Sequence, residues 1–183
     1  MFEKILVAVD QSQSNQQVFD AALTMAKALN SQLMVFHVLT ADEEGCPQVP
    51  LMVGMEYYAS LDNKVWKIYE DQWKAYEEKG LNLLRSLTDE ATAAGVATEF
   101  TQQSGQPGHT ICEFAKLWKA DLIVLGRRGH AGLQEMILGS VSNYVLHHAP
   151  CTVLTVNCPK VLNKAEHKSY QPPAGWPLKS IWS

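Results

Sequence analysis

The sequence lacks several features that define particular classes of protein. No stretch approaches the roughly 20 apolar residues of a membrane-spanning helix. Basic residues are not in excess, since 15 Lys and Arg against 19 Asp and Glu leave a net charge of −4. A general nucleic-acid-binding protein would show a basic face. The opening residues MFEKILVAVD contain neither the basic segment nor the apolar region of a secretory signal. We therefore expect a cytoplasmic protein that binds neither nucleic acid nor a membrane.

Disulfide and metal-binding patterns are missing as well. The four cysteines, at positions 46, 112, 151 and 158, form no CxxC pair and suggest no zinc site. Cys151 and Cys158 flank a predicted strand, in which a rise of about 3.3 Å per residue separates them by roughly 20 Å. That distance is too long for a disulfide, so we expect reduced thiols. The six histidines include no HExxH spacing. We expect His37, inside a predicted strand, to be a hydrogen-bonded core residue.

Three motifs of phosphate binding and catalysis are absent. The chain has no GxxxxGK[ST], which excludes the backbone cradle and lysine of a P-loop. It has no GxGxxG after the first predicted strand, so nothing supports a dinucleotide site. It has no GxSxG nucleophile elbow either. A dedicated enzyme is therefore the least supported interpretation, while slow hydrolysis of a bound nucleotide stays open.

Short apolar runs alternate with amphipathic segments along the first 157 residues. The runs predict buried strands, at residues 5–9, 33–39, 96–101, 122–125 and 152–156. Between them, apolar residues recur every three or four positions, as in helices that pack on a sheet. This alternation predicts one α/β domain over residues 1–157. Its core would be an open, mostly parallel five-stranded sheet with helices on both faces.

Three segments depart from this alternation. Residues 40–60 form a predicted irregular loop, which is either a covering flap or simple packing against the next helix. A long helix is predicted at residues 62–94, with Gly80 as a kink between two helical pieces. Its aromatic stripe, from Trp66 to Tyr76, is predicted to face the core or a partner. Residues 158–183 are interrupted by prolines and form a predicted C-terminal extension.

A glycine-rich segment follows the fourth predicted strand. Four of the eleven glycines, at positions 126, 129, 132 and 139, fall within fourteen residues, and Ser140 follows as the predicted N-cap of a helix. Glycine lets backbone N–H groups approach an anion closely, and a helix N-terminus presents N–H donors and partial positive charge to it. The segment therefore predicts a phosphate-binding site.

The carboxyl ends of other predicted strands should meet this segment. Asp10, Val38 and Gly126 each stand at the end of a strand, and ligands of open α/β sheets bind outside these ends. Asp10 is either a Mg²⁺ ligand or a turn-forming residue, and both interpretations stay open. The expected ligand is an anionic small molecule.

The spacing Gly126-x2-Gly129-x9-Gly139-Ser140 resembles the G-2x-G-9x-G-(S/T) signature of the nucleotide-binding universal stress proteins. The opening KILVAVD, the FHV of the second strand, the GRRG turn and the CTVLTV strand are similar to that family too. The resemblance implies an ATP- or AMP-binding domain with strand order 3-2-1-4-5. Such a fold is of the adenine nucleotide alpha hydrolase-like, Rossmann-like type. It also implies a homodimer joined through the last strand, residues 152–156.

The same resemblance implies roles for individual positions. Asp10 would lie beside the ribose and a metal ion, and Val38 would meet the adenine through its backbone. The remaining positions would border the ribose and phosphates: Gly126 and Gly129 at the ribose and α-phosphate, and Gly139, Ser140, Val141 and Ser142 at the later phosphates. Arg127 departs from the family, in which a small polar residue is usual, and it either contacts phosphate or faces solvent.

Three hypotheses about function follow from these observations. The first is a stress-response sensor or regulator that binds ATP or AMP and hydrolyses it slowly at most. The second is a dimeric interaction protein that recruits a partner through its edge strand, aromatic helix and residues 158–183, with the nucleotide site structural or empty. The third, a dedicated ATPase or nucleotidyl transferase, has the least support, because no general base or arginine finger is evident beyond Asp10 and Arg127 or Arg128.

Overall fold

The computed structural model describes residues 2–12, 14–41, 43, 45–47, 59–127 and 139–157, and of residues 59–64 the backbone only. Strands and helices alternate along these ranges. Their bounds are β1 Lys4–Val9, α1 Asn15–Leu29, β2 Gln32–Leu39, α2 Ala59–Ala93, β3 Thr98–Ser104, α3 Pro107–Trp118, β4 Leu122–Arg127, α4 Ser140–His148 and β5 Thr152–Asn157. Gly129, Gly132, most of the 40–60 loop and residues 158–183 lie outside the described residues.

The five strands form one sheet in the order β3-β2-β1-β4-β5. Every neighbouring pair is parallel, as expected for strands that are joined by helical crossovers. The predicted fold class and strand order are thereby confirmed. Within the described ranges, no helix is both long and apolar enough to cross a membrane.

Each face of the sheet is covered by two helices, which gives two hydrophobic clusters. Alternate residues of β1 point to opposite faces, so Ile5 and Val7 contact one cluster and Leu6 the other. On the first face, α1 contributes residues such as Phe19 and the C-terminal half of α2 contributes Leu84. The second face is packed by α3 and α4. The sheet is thus buried on both faces. Strands β1 and β4 are almost wholly apolar because neither of their faces meets solvent.

Helix α2 is a single helix of 35 residues. It begins three residues before the predicted start, and it continues through Gly80, so the predicted division into two pieces there was wrong. Gly80 has a different role: a Cβ at this position would lie 2.9 Å from Nδ1 of His37 and would also collide with the Gln102 side chain. The missing side chain lets α2 pass close to β2 and β3.

The aromatic stripe of α2 divides between the core and the surface. Tyr76 is buried and Trp73 packs beside it, whereas Trp66 is 45% exposed. The prediction that this stripe faces a core therefore holds only toward the C-terminal end of the stripe.

Several predicted boundaries near the site also need correction. Strand β4 does not break at Gly126, because Gly126 and Arg127 continue to pair with β5. Helix α3 begins at Pro107, whereas sequence periodicity predicts a helix over residues 110–119, because proline is well tolerated at the first helical position. The N-cap of α4 is Gly139 and not Ser140, which is already the first helical residue.

Candidate functional site

A cavity of about 550 Å³ opens at the carboxyl ends of β1, β2 and β4. This volume lies within the range of small-molecule sites. Eight of the nine predicted site residues line it: Asp10, Val38, Gly126, Arg127, Gly139, Ser140, Val141 and Ser142. The ninth, Gly129, lies outside the described residues. Strand order explains the convergence, since the crossovers on either side of β1 leave a crevice where the order reverses.

Three helices begin at this cavity. Ser14 and Asn15 at the start of α1, Pro107 at the start of α3, and Ser140 at the start of α4 all line it. None of the three N-termini has a side-chain cap hydrogen bond, and none has an acidic residue in its first turn. The first N–H groups of a helix have no intrahelical acceptor and carry partial positive charge. The cavity therefore collects three uncapped helix N-termini, an arrangement suited to an anion.

Arg127 adds a full positive charge to the same cavity. It is half-buried at the end of β4, opposite Asn157 of β5. Among the described residues that line the cavity, it is the one Lys or Arg side chain. Both interpretations of Arg127, a phosphate contact or a solvent-facing side chain, stay predictions, since the side chain is half-buried and lines an open cavity.

The start of α4 is held in place by its own side chains. Ser142 is buried, and its hydroxyl donates a hydrogen bond to the Gly139 carbonyl at 2.9 Å. Val141 packs against the second hydrophobic cluster. The exposed Ser140 lines the cavity, so this helical turn is anchored from one side and open on the other.

The wall between the α3 and β2 sides of the cavity is apolar. Phe36 of β2 and Ile111 of α3 both line it, and the Phe36 ring stacks on Phe114 with 4.5 Å between centroids. An apolar wall beside a cluster of anion-binding groups can hold a molecule with one flat, weakly polar part and one charged part.

Asp10 forms a turn at the end of β1. Its Oδ1 accepts hydrogen bonds from the Ser12 backbone N–H at 3.0 Å and from the Ser12 hydroxyl at 2.5 Å. This is the local pattern by which aspartate stabilises a turn. Within the described residues, no group of three or more His, Cys, Asp or Glu side chains is placed to hold a metal ion. The turn-forming interpretation of Asp10 therefore has direct structural support.

A buried polar cluster stands at the β2 side of the cavity. His37 Nδ1 lies 3.0 Å from Gln102 Oε1, and His37 Nε2 lies 3.1 Å from Glu43 Oε2. Glu43 also accepts hydrogen bonds from the Gln11 backbone N–H at 2.7 Å and from the Tyr76 hydroxyl. His37 is 1% exposed, and Glu43, which lines the cavity, is 7% exposed. The prediction of a hydrogen-bonded core histidine is confirmed.

The cluster shifts three pKa values. Burial alone would lower the pKa of His37, but its hydrogen bonds with Glu43 and Gln102 outweigh burial and raise the pKa above 6.5. Burial alone would raise the pKa of Glu43, but the hydrogen bonds from His37 and Tyr76 hold that pKa below 4.5. Burial raises the pKa of Tyr76, and the Glu43 carboxylate raises it further.

Sequence reasoning did not find Glu43 or the start of α3 as parts of the cavity. Glu43 lies in the irregular 40–60 segment, where no periodicity assigns a face to it. The sequence Ser104-Gly-Gln-Pro-Gly predicts a turn. The Gln-Pro-Gly sequence did contain a signal, because proline favours the first position of a helix.

Comparisons with known proteins agree with this architecture. The Universal stress protein family model matches residues 1–157. A universal stress protein of Synechocystis sp. is 37% identical over 155 residues, which cover 85% of this chain and 97% of the relative. The structure of universal stress protein UspA from Lactobacillus plantarum is similar with a TM-score of 0.58 and 25% identity, over 85% of this chain and 97% of that chain.

A further structure, a universal stress protein in complex with cAMP, is similar with a TM-score of 0.56 and 26% identity, over 85% of this chain and 97% of that chain. The family match, the relatives and the parallel sheet lead to one conclusion. The chain belongs to the universal stress protein family.

Proposed function

We propose that this protein binds an adenine nucleotide, ATP or AMP, in the cavity at the carboxyl ends of β1, β2 and β4. The observation that carries the proposal is the convergence of three uncapped helix N-termini with Arg127 on one cavity. Helix N-termini are common binding sites for phosphate groups. The similar universal stress protein in complex with cAMP supports an adenine nucleotide as the ligand class.

The two ends of the cavity suit the two ends of a nucleotide. Phosphates would lie at the β4 side, where Gly126 and Arg127 end β4 and where Gly139, Ser140, Val141 and Ser142 form the start of α4. Gly129, outside the described residues, stays a predicted further contact. The base would lie at the β2 side, beside the apolar wall and near the Val38 backbone. The ribose would lie between them, close to Asp10.

Asp10 is also our candidate for contact with Mg²⁺. Magnesium is commonly held by one or two carboxylates together with substrate phosphates and water. Asp10 supplies one carboxylate, one oxygen of which is already engaged by Ser12. If Asp10 holds the ion, removing Mg²⁺ with EDTA will weaken ATP binding in the native protein and leave an Asp10→Asn variant unaffected. Equal losses in both proteins would assign Mg²⁺ to the free nucleotide.

The function that fits this site is that of a cytoplasmic stress-response sensor or regulator. The described lining contributes two carboxylates, Asp10 and Glu43, and both already accept hydrogen bonds from neighbouring groups, so we expect neither to be an efficient general base for water. Hydrolysis, if measured, is therefore expected to be far slower than the about 1–100 s⁻¹ of kinases.

The first experiment is to denature the purified protein and analyse any released nucleotide, followed by calorimetric titration with ATP, AMP and cAMP. We expect bound or titratable adenine nucleotide. The absence of released nucleotide, together with no heat of binding for all three ligands, would reject the proposal.

The second experiment separates binding from folding at the start of α4. Ser140→Glu places a carboxylate at a helix N-terminus, where negative charge stabilises a helix by about 0.3–1 kcal/mol. The same carboxylate would repel a phosphate. We expect unchanged or higher thermal stability with nucleotide affinity reduced at least tenfold. Ser86→Glu, at an exposed position on α2, is the matched control and should leave affinity unchanged. Equal affinity in both variants would place the phosphates elsewhere.

We also propose a homodimer joined through β5. This strand is the last one of the sheet, and an edge strand presents backbone groups that can pair with a second copy. Leu154 at its centre is 36% exposed. Analytical ultracentrifugation should show a dimer that Leu154→Lys converts to a monomer. A native monomer at micromolar concentration would contradict this assembly.

The alternative function is that of an interaction protein. The exposed Trp66 and Ile68 on α2 favour it, because large apolar side chains in solvent mark contact surfaces. Residues 158–183, outside the described part, remain a predicted second contact. Deletion of those residues should reduce capture of a partner without changing nucleotide affinity. If deletion leaves partner capture unchanged, the extension is excluded as the contact.

A further inference from the structure

The orientation of the Gln102 amide shows that His37 is protonated at Nδ1. Gln102 Nε2 donates a hydrogen bond to the Glu77 carbonyl at 3.2 Å. Its Oε1 therefore faces His37 as an acceptor, at 3.0 Å from Nδ1. Rotating the amide by half a turn would place two oxygens together at the Glu77 carbonyl. His37 Nδ1 must therefore carry a proton.

The second ring nitrogen of His37 also faces an acceptor. Nε2 lies 3.2 and 3.1 Å from the two carboxylate oxygens of Glu43. A neutral imidazole has one donor and one acceptor nitrogen, and only the imidazolium donates through both. The surroundings therefore select the charged form, and His37 and Glu43 form a buried ion pair.

Glu43 connects this ion pair to the cavity. Its carboxylate is held by donors from three elements: His37 on β2, Tyr76 on α2, and the Gln11 backbone N–H after β1. The same residue lines the cavity, six positions beyond His37 in the segment that follows β2. Gly80 allows this arrangement, since a side chain there would collide with His37 and Gln102.

We propose that Glu43 is a positioning residue of the nucleotide site, held as part of its wall by the positive charge of His37, so that nucleotide affinity falls when His37 loses its proton. The inference rests on the proposed function. Two effects act in the same direction. Loss of the proton turns the Nε2 lone pair toward the carboxylate and removes one of the three donors that hold Glu43. It also leaves the negative charge of Glu43 uncompensated beside an anionic ligand.

The direction of the pH effect follows from the groups around His37. Glu43 and, at longer range, Asp10 favour its charged form, while burial opposes it, and Tyr76 and Gln102 are uncharged. Cys46 packs in one cluster with Tyr76 and raises the pKa of that hydroxyl. The pKa of His37 is raised, so its stabilising effect is complete below pH 6.5 and is lost as pH rises through the raised value.

Protonation of Glu43 sets the lower end of the pH range over which the ion pair exists. Its pKa is lowered, so its stabilising effect is complete above pH 4.5 and is lost as pH falls through the lowered value. The ion pair between His37 and Glu43 is therefore complete between these two limits. Near neutral pH, it is lost as pH rises.

The charge of His37 can be measured without any ligand. Histidine labelled with ¹⁵N in the native protein should show two protonated nitrogens for His37 at pH 7, assigned by comparison with His37→Gln. A neutral tautomer at that pH would overturn the inference.

The functional test is calorimetric titration with AMP across a pH series from about 6 to about 9, the region in which histidine titrates. We expect native affinity to fall about tenfold over the alkaline part, equivalent to about 1.4 kcal/mol. The profile of His37→Gln should be flat there. Tyr76→Phe keeps the ion pair and should retain the alkaline loss. Glu78→Gln removes an exposed ion pair with Arg85 and is the matched control, with a native profile.

The outcomes separate this inference from the proposed function. Identical profiles for the native protein and His37→Gln would overturn the positioning role and leave nucleotide binding intact. Failure of the native protein to bind any adenine nucleotide at any pH would reject the proposed function and this inference with it. A flat native profile with a charged His37 at pH 7 and a neutral one at pH 9 would also overturn the positioning role.

Discussion

Replacing Gly108 by alanine tests the contact between α3 and α4, two of the helices that begin at the cavity. Gly108 is buried in the first turn of α3, directly against α4. A Cβ at this position would lie 2.8 Å from Cδ1 and 2.9 Å from both Cβ and Cγ of Tyr144. Because the Tyr144 Cβ is attached to the backbone, no rotamer change removes this overlap. Helix α4 must move away from α3.

Two opposing effects determine the stability of this variant. Alanine in place of glycine stabilises a helix interior by up to about 1 kcal/mol, and by less in a first turn. Overpacking of a tight contact costs about 1–3 kcal/mol. We expect the upper part of that range, because the Tyr144 Cβ that the new methyl group meets cannot move without the backbone. We expect a net loss of about 1–2 kcal/mol. For a chain of this length that corresponds to a decrease in Tm of roughly 3–6 °C.

Urea denaturation followed by circular dichroism measures this loss, with the slope m compared between variants to check two-state behaviour. His109→Ala is the control, since the exposed His109 occupies the same turn and should change stability by less than about 0.5 kcal/mol. The same displacement moves the α4 N-terminus, so nucleotide affinity should also fall in Gly108→Ala. Higher stability of Gly108→Ala than of the native protein would refute the close approach of α3 and α4.

Three further predictions concern other parts of the chain. Leu84→Ala, at a fully buried position, should lower the free energy of unfolding in urea by about 2–5 kcal/mol. Ile68→Ala, on the exposed part of the same helix, should change it by less than about 0.5 kcal/mol. Equal losses would contradict the packing of only one half of α2 against the sheet. The Cys112 thiol has a pKa raised by burial and by a neighbouring carboxylate, so iodoacetamide followed by mass spectrometry should modify it far more slowly in the native than in the unfolded protein, and equal rates would show that it is accessible. Gly80→Ala should lower the pKa of His37, measured by NMR titration, because the added methyl group displaces the acceptor amide on β3; an unchanged pKa would show that the amide adapts.

Much of the fold could be predicted from the sequence because its signals are local. The runs at β1 and β4 are continuous and apolar, as strands buried on both faces must be, and the intervening helices have regular periodicity. Boundaries were less predictable where a tertiary contact decides them. Gly126 and Arg127 remain in β4 because β5 offers them pairing partners, and no local property of a Gly-Arg dipeptide indicates such a partner.

The two sides of the site differ in the same way. The side proposed for phosphate is encoded in one contiguous segment, where Gly139 and Ser140 predict a helix N-terminus. Its β2 side depends on Glu43, whose partners come from separate elements: His37, Tyr76 and Gln11. A single sequence contains no periodic or motif signal for a contact between residues 43 and 76. The buried charge pair could therefore be found only in three dimensions.

The length of α2 has a mechanical consequence. At about 1.5 Å per residue, its 35 residues extend for about 52 Å. Leu84 and Leu87 pack the C-terminal half of α2 against the sheet, and the Tyr76 hydroxyl donates a hydrogen bond to Glu43 at the cavity wall. From Tyr76 the helix axis continues for roughly 25 Å to Ala59. A rotation of about 5° at Tyr76 would therefore carry the far end through roughly 2 Å. The length of α2 beyond Tyr76 would therefore amplify any rotation of the helix at its contact with Glu43, a residue of the cavity wall.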